Sequence, residues 1–139
     1  MSKVYWDTML FIYLLEGNRQ YGVRVEGIYK RMQARGDSLH TGFLSLGEIL
    51  AGAQHSPQKN QTIRAAFSAM RIQLLPFDAG AVDIFAFLRA GPKLATADSI
   101  HLACAATKGI DLFLTGDKQL TRQIVPGIQF ISSIENSPI

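Results

Sequence analysis

Short apolar runs alternate with longer amphipathic ones along the whole chain. Val4-Tyr5-Trp6 reads as a short buried strand, and Thr8 to about Glu16 as a helix stopped by Gly17-Asn18. Val25, Ile28, Tyr29 and Met32 share one face of a second predicted helix, Tyr21 to Arg35. Gly36-Asp37 turns the chain into a strand at Ser38–Thr41, followed by helices at Ser45–Ala53 and from about Pro57 to Met70. Ile72–Leu75 reads as a strand ended by Pro76, and Asp78 as the cap of a helix through Arg89 that Gly91-Pro92 breaks. An Ala-rich helix at Thr96–Lys108, a strand at Leu112–Leu114, a short helix at Lys118–Gln123 and a strand at Ile128–Ile131 complete the pattern. Strands separated by helices imply crossover units. The expected class is α/β: three layers, with a mainly parallel sheet of about four or five strands and helices on both faces.

The 139 residues suit one domain, 1–139, with one core. An apolar share of 47% with a net charge of only +3 excludes a disordered chain. A single cysteine, Cys104, allows no internal disulfide and no multi-cysteine metal site, so a reducing cytoplasm is the expected compartment. The apolar run Met9–Leu15 is too short to span a membrane and no leader-type cleavage site follows it. A pI near 9.2 leans toward an anionic partner such as nucleic acid, though the charge excess is modest.

Four acids carry the chemistry. Asp7 follows the first strand directly and Asp117 follows Leu112–Leu114 through Thr115-Gly116, so both belong at carboxyl ends of strands. Open α/β sheets place their ligand crevice there. Asp98 opens the Ala-rich helix and Glu48 lies one turn into its own. Taken singly, each has a plainer reading: Asp7 as a helix cap, Ser45-Leu46-Gly47-Glu48 as a capping box, Asp98 and Asp117 as partners of helix dipoles. Taken together they pose a conflict, since gathered carboxylates repel and answer by raising their pKa values. A hard divalent cation relieves it, and with no His or Cys at zinc-ligand spacing the expected ion is Mg²⁺ or Mn²⁺ in an all-oxygen site.

In order along the chain, Val4-Tyr5-Trp6-Asp7-Thr8, Ser45-Leu46-Gly47-Glu48-Ile49-Leu50-Ala51-Gly52, Ala97-Asp98-Ser99-Ile100-His101-Leu102-Ala103 and Leu114-Thr115-Gly116-Asp117 resemble the successive signatures of the PIN-domain ribonucleases. The similarity extends to the single-domain VapC-type toxins of prokaryotic toxin–antitoxin pairs. It implies a three-layer PIN-like fold and an Mg²⁺- or Mn²⁺-dependent endoribonuclease. Carried over by position, the acidic site falls on Asp7, Glu48, Asp98 and Asp117, and Thr115 matches the hydroxyl residue that orients the cluster. Met9 and Gly116 depart from the pattern, each standing where Asn is common. The resemblance also implies an RNA substrate and a cognate antitoxin protein.

For holding RNA, Arg24, Arg31 and Arg35 recur at helical spacing, and Lys93 and Lys118 lie near the expected crevice in sequence. A solvated helix face is the plainer account of the arginines. His101, three residues after Asp98, reads as a capped or surface histidine, and Cys104 as a small buried side chain. Apolar residues around Phe85 and Leu88 exceed one narrow stripe, which suggests a homodimer face. Three other readings remain open: an RNA-processing PIN nuclease without an antitoxin, a non-catalytic RNA- or protein-binding module, and a phosphatase using Asp7. The last normally wants a second Asp where Met9 stands.

Overall fold

The computed structural model describes residues 1–139. Five strands, β1 (Lys3–Trp6), β2 (Ser38–Gly42), β3 (Gln73–Leu75), β4 (Ile110–Thr115) and β5 (Ile128–Ser133), form one sheet in the order β3-β2-β1-β4-β5. Every neighbouring pair is parallel. The helices α1 (Thr8–Glu16) and α2 (Gly22–Arg35) connect β1 to β2, and α3 (Phe43–Ala51) and α4 (Pro57–Ala69) connect β2 to β3. The helices α5 (Ala79–Ala90) and α6 (Thr96–Lys108) then carry the chain back past β2 and β1 to β4. The winding direction reverses between β1 and β4. Their carboxyl ends therefore flank the crevice that such a switch opens.

Strand periodicity divides the core in two. Val4 and Trp6 face a layer containing Leu10, Phe11, Val25, Ile28, Met32 and Phe67 from α1, α2 and α4. Tyr5 points the other way, with Phe113, toward Leu88, Leu102 and Ala105 of α5 and α6. Both faces are covered, which is why these strands are continuous apolar runs. Leu88 is buried in this second layer, so it does not belong to an exposed homodimer face. Val82 and Phe87, on the outer side of α5, remain 48% and 61% exposed.

Helix ends account for the differences from the sequence pattern. The α6 boundaries match the expected ones, and Asp78 and Ser56 cap α5 and α4 through their side chains. By contrast, α3 starts at Phe43, two residues early, with Gly42 as an N-cap that offers no side chain. Ser45 thus lies inside the helix and the expected capping box does not form. The expected helix at Lys118–Gln123 shrinks to a 3₁₀ turn at Leu120–Arg122. No helix is long and apolar enough to cross a membrane.

Candidate active site

Asp7 sits at the seam between β1 and β4, its own amide donating to the Leu114 carbonyl at 3.1 Å. Its carboxylate has two duties. One oxygen accepts from the Met9 amide at 3.1 Å and caps α1, so the capping reading is correct as far as it goes. The other accepts from the Thr115 hydroxyl at 2.5 Å and the Gly116 amide at 3.3 Å. The same Thr115 hydroxyl accepts from the Asp117 amide at 3.0 Å, tying two acids from distant parts of the chain to one fully buried side chain. Burial pushes the Asp7 carboxyl above its ordinary value, against the opposing pull of Thr115, His101 and the Gly116 and Met9 amides.

Glu48 extends from the second turn of α3 to the Thr8 hydroxyl, which donates to its Oε1 at 2.7 Å. His101 Nε2 lies 3.2 Å from the same oxygen. This corrects the surface reading of His101: the residue is only 4% exposed, with Nδ1 2.8 Å from the buried Tyr5 hydroxyl. Its local sequence, an Ala-rich stretch, gave little warning. The available signal was its position three residues after Asp98, on a helix too apolar to have a wet side. Ser45, excluded from a capping role, has its hydroxyl 2.8 Å from that of Thr41 and 3.1 Å from that of Thr8.

Asp98, in the first turn of α6, is partly buried. Desolvation raises its pKa first, then the nearby charges of Asp117 and, more weakly, Glu48, while His101 opposes them. Asp98 is thus near enough to Asp117 and Glu48 to feel their charges. None of Asp7, Glu48, Asp98 or Asp117 is paired with a lysine or arginine; the ion pairs of those residue types are Lys30–Glu26 and Arg35–Asp37. Asp117 is exposed and its Oδ1 accepts from the Gln119 amide at 2.9 Å. Met9 and Gly116 meet at the mouth: a Cβ at position 116 would lie 3.3 Å from Met9 Cβ. Where polar Asn side chains are common in the pattern, this mouth is apolar on one side and bare on the other.

The basic candidates separate. Lys93 lies in the loop leading into α6, at the same end as Asp98, with φ +60. Lys118 follows Asp117 and its charge reaches Glu135. Arg35, at the last turn of α2, pairs with Asp37 beside the start of β2, at the opposite end of the strands from the acids. Arg31 donates to the carbonyl of Ile139 at 3.4 Å, and Arg24 is exposed near the start of the same helix. The arginine stripe is therefore spread along α2 rather than gathered at the crevice. Beside Glu48, a groove of about 690 Å³ opens between α1, α3 and α4, lined by Ile12, Leu15, Ile49 and Ile63 together with Lys59.

Is this a site for a divalent cation? The donor chemistry fits: four carboxylates, unpaired with any lysine or arginine, two of them raised in pKa by burial, Asp98 also by its acidic neighbours. Mg²⁺ is commonly held by one or two carboxylates and several waters, so no closed cage is required. No three acidic, histidine or cysteine groups are arranged as a ready-made cage, and direct chelation by three acids would need side-chain rotation.

A family model described as "PIN domain" matches residues 4–124. No curated protein matches the chain. Among solved structures, the chain is similar to one in a toxin–antitoxin complex from Klebsiella pneumoniae, at 21% identity and a TM-score of 0.68, covering 91% of this chain and 95% of that one. VapBC2 from Rickettsia felis bound to a promoter DNA fragment gives 16% and 0.74, over 94% and 97%. DNA-bound VapBC from Salmonella typhimurium gives 20% and 0.71, over 96% and 99%. At such identities the likeness speaks for a shared fold.

Proposed function

The chain belongs to the PIN domain family, and from that premise we propose that it is an Mg²⁺- or Mn²⁺-dependent endoribonuclease, the toxin of a toxin–antitoxin pair. The observation that carries this reading is that Asp98 feels the charges of Asp117 and Glu48, and Thr115 links Asp7 to the Asp117 turn, with no lysine or arginine paired to any of the four. Asp7, Asp98 and Asp117 hold the cation, directly or through water. When bound, the ion supplies the Lewis acidity that acidifies water and offsets charge developing on the phosphoryl oxygens. Glu48, on its longer side chain, orients the attacking water or accepts its proton. Thr115 fixes the Asp7 carboxylate and the start of the Asp117 turn. Lys93 and Lys118 contact backbone phosphates on either side, with Arg24 and Arg31 further along α2; such contacts add affinity without sequence preference.

The partner is an antitoxin protein, in keeping with the toxin–antitoxin complexes among the solved structures of like fold. The apolar groove beside Glu48 suits a segment of it. A homodimer through the exposed Val82 and Phe87 of α5 completes the proposed assembly. The test is cleavage of RNA by the purified chain with Mg²⁺ or Mn²⁺. Asp98→Asn should lower the rate by at least about 100-fold. Cleavage that survives this substitution, or proceeds equally in a chelator, would remove the assignment. Co-purification with the product of a small adjacent reading frame would separate the toxin from a nuclease that works alone.

A further inference from the structure

We infer that His101 is a positioning residue for Glu48: the Tyr5 hydroxyl holds Nδ1 of its imidazole, so that Nε2–H is presented to the Glu48 carboxylate. This rests on the reading that Glu48 works at the site and extends it to two residues behind the acids.

Counting hydrogens fixes the direction of the network. The Trp6 carbonyl can only accept, so the single Thr41 hydroxyl hydrogen goes to it at 2.7 Å. An ionised Glu48 can likewise only accept, so the Thr8 hydrogen goes to Oε1 at 2.7 Å. Thr8 then has no hydrogen left for His101. The Nε2 contacts, 3.3 Å to Thr8 and 3.2 Å to Glu48, both require Nε2 to be the donor. In a neutral ring Nδ1 is then a bare acceptor, which the Tyr5 hydroxyl meets at 2.8 Å. Burial pushes the Tyr5 phenol well above its ordinary value, so this donor keeps its proton. The two rings meet edge-on, centroids 6.0 Å apart, and Phe113 stacks on the other side of Tyr5 at 4.8 Å.

The backbone leaves room for the same arrangement. A Cβ at Gly42 would stand 2.9 Å from the Tyr5 hydroxyl oxygen, so a side chain there would push that hydroxyl off His101. Glu48 itself is on the surface side, with 39% of its side chain exposed. Without inner contacts it would sample the rotamers open to any exposed glutamate. Two donors on one oxygen, from Thr8 on α1 and His101 on α6, hold it toward the other acids. A histidine serves here because its second nitrogen can itself be anchored from behind, as with metal-binding imidazoles whose outer nitrogen sets ring orientation.

The test has two arms, so that failure of the positioning role and failure of the nuclease reading stay distinct. In the full, metal-free chain at pH 7.5, long-range ¹H–¹⁵N NMR should show His101 as the Nε2–H tautomer, with Tyr5→Phe eroding that preference. A neutral ring in the Nδ1–H tautomer would overturn the proposal whatever the chain's activity. In the cleavage assay, His101→Leu should lower kcat about 10–100-fold with KM little changed, and His101→Gln, which keeps an N–H in reach of Glu48, should recover most of it. In a Glu48→Gln background, His101→Leu should cost no more than about threefold further, because the group it positions is already gone. Equal losses for His101→Leu and His101→Gln, or the same loss with and without Glu48, would mean a purely structural histidine.

Discussion

Replacing Thr115 by valine removes one hydroxyl and almost no volume from a position with no solvent exposure. Two hydrogen bonds disappear: the donation to Asp7 at 2.5 Å and the acceptance from the Asp117 amide at 3.0 Å. A bond to a charged group contributes about 1.5–3 kcal/mol and a neutral one about 1 kcal/mol, so the loss should be about 3 kcal/mol wherever Asp7 is ionised. The pH dependence carries the sharper test. Burial raises the Asp7 pKa in the folded chain, and Thr115 is the largest influence opposing that rise. A carboxyl with a raised folded pKa stabilises the fold when protonated and loses that contribution as pH climbs through the folded value. Valine raises it further, so the gap between the two proteins is widest where Asp7 is ionised. It should narrow toward about 1 kcal/mol as pH falls and both carboxyls protonate. The assay is urea unfolding followed by the fluorescence of Trp6, the single tryptophan, buried against Phe11 at 5.1 Å. A difference that stays below about 1 kcal/mol across the whole accessible pH range, or one that grows as pH falls, would refute the reasoning.

His40 gives a second pH signature of opposite sense. Burial first, with Lys108 and Lys3 nearby, lowers its pKa from 6.5 to about 4, and its Nδ1 has no partner. The unfolded chain takes up this proton first, so stability is full above pH 6.5 and falls as pH drops toward 4, by roughly 3 kcal/mol. His40→Asn should flatten that slope in unfolding measured across the range, and an unchanged slope would place the titration elsewhere. At the surface, Phe87→Glu should turn a dimer into a monomer by light scattering without lowering thermal stability, since Phe87 is 61% exposed. A dimer that persists would move the interface off α5.

The sheet was legible because strands buried on both faces are unbroken apolar runs and because a helix cap such as Asp78 is written in its side chain. Where the cap is Gly42, which has no side chain to announce it, the start of α3 was misplaced, and with it the role of Ser45. Of the site, the nearness of Asp98 to Asp117 and Glu48, and the link from Asp7 to Asp117 through Thr115, could be anticipated from their places after strands and at helix starts. His101 could not: whether an imidazole on an apolar helix faces water or a polar network depends on which strand residue, here Tyr5, lies opposite. Where Arg35 lies depends likewise on the surrounding fold. Helical spacing gives a face but not a direction, and α2 runs toward the amino ends of the strands, away from the acids.

The most direct measurement is the unfolding temperature of the wild-type chain and of Asp98→Asn as Mn²⁺ is raised. It needs no substrate. If the gathered acids form a cation site, the wild type should gain about 2–3 kcal/mol once Mn²⁺ reaches about 100 times its dissociation constant. Asp98→Asn should start at least as stable, because one of the mutually repelling charges is gone, and should gain little from the ion. Equal gains in the two proteins, or no gain in either, would contradict the account.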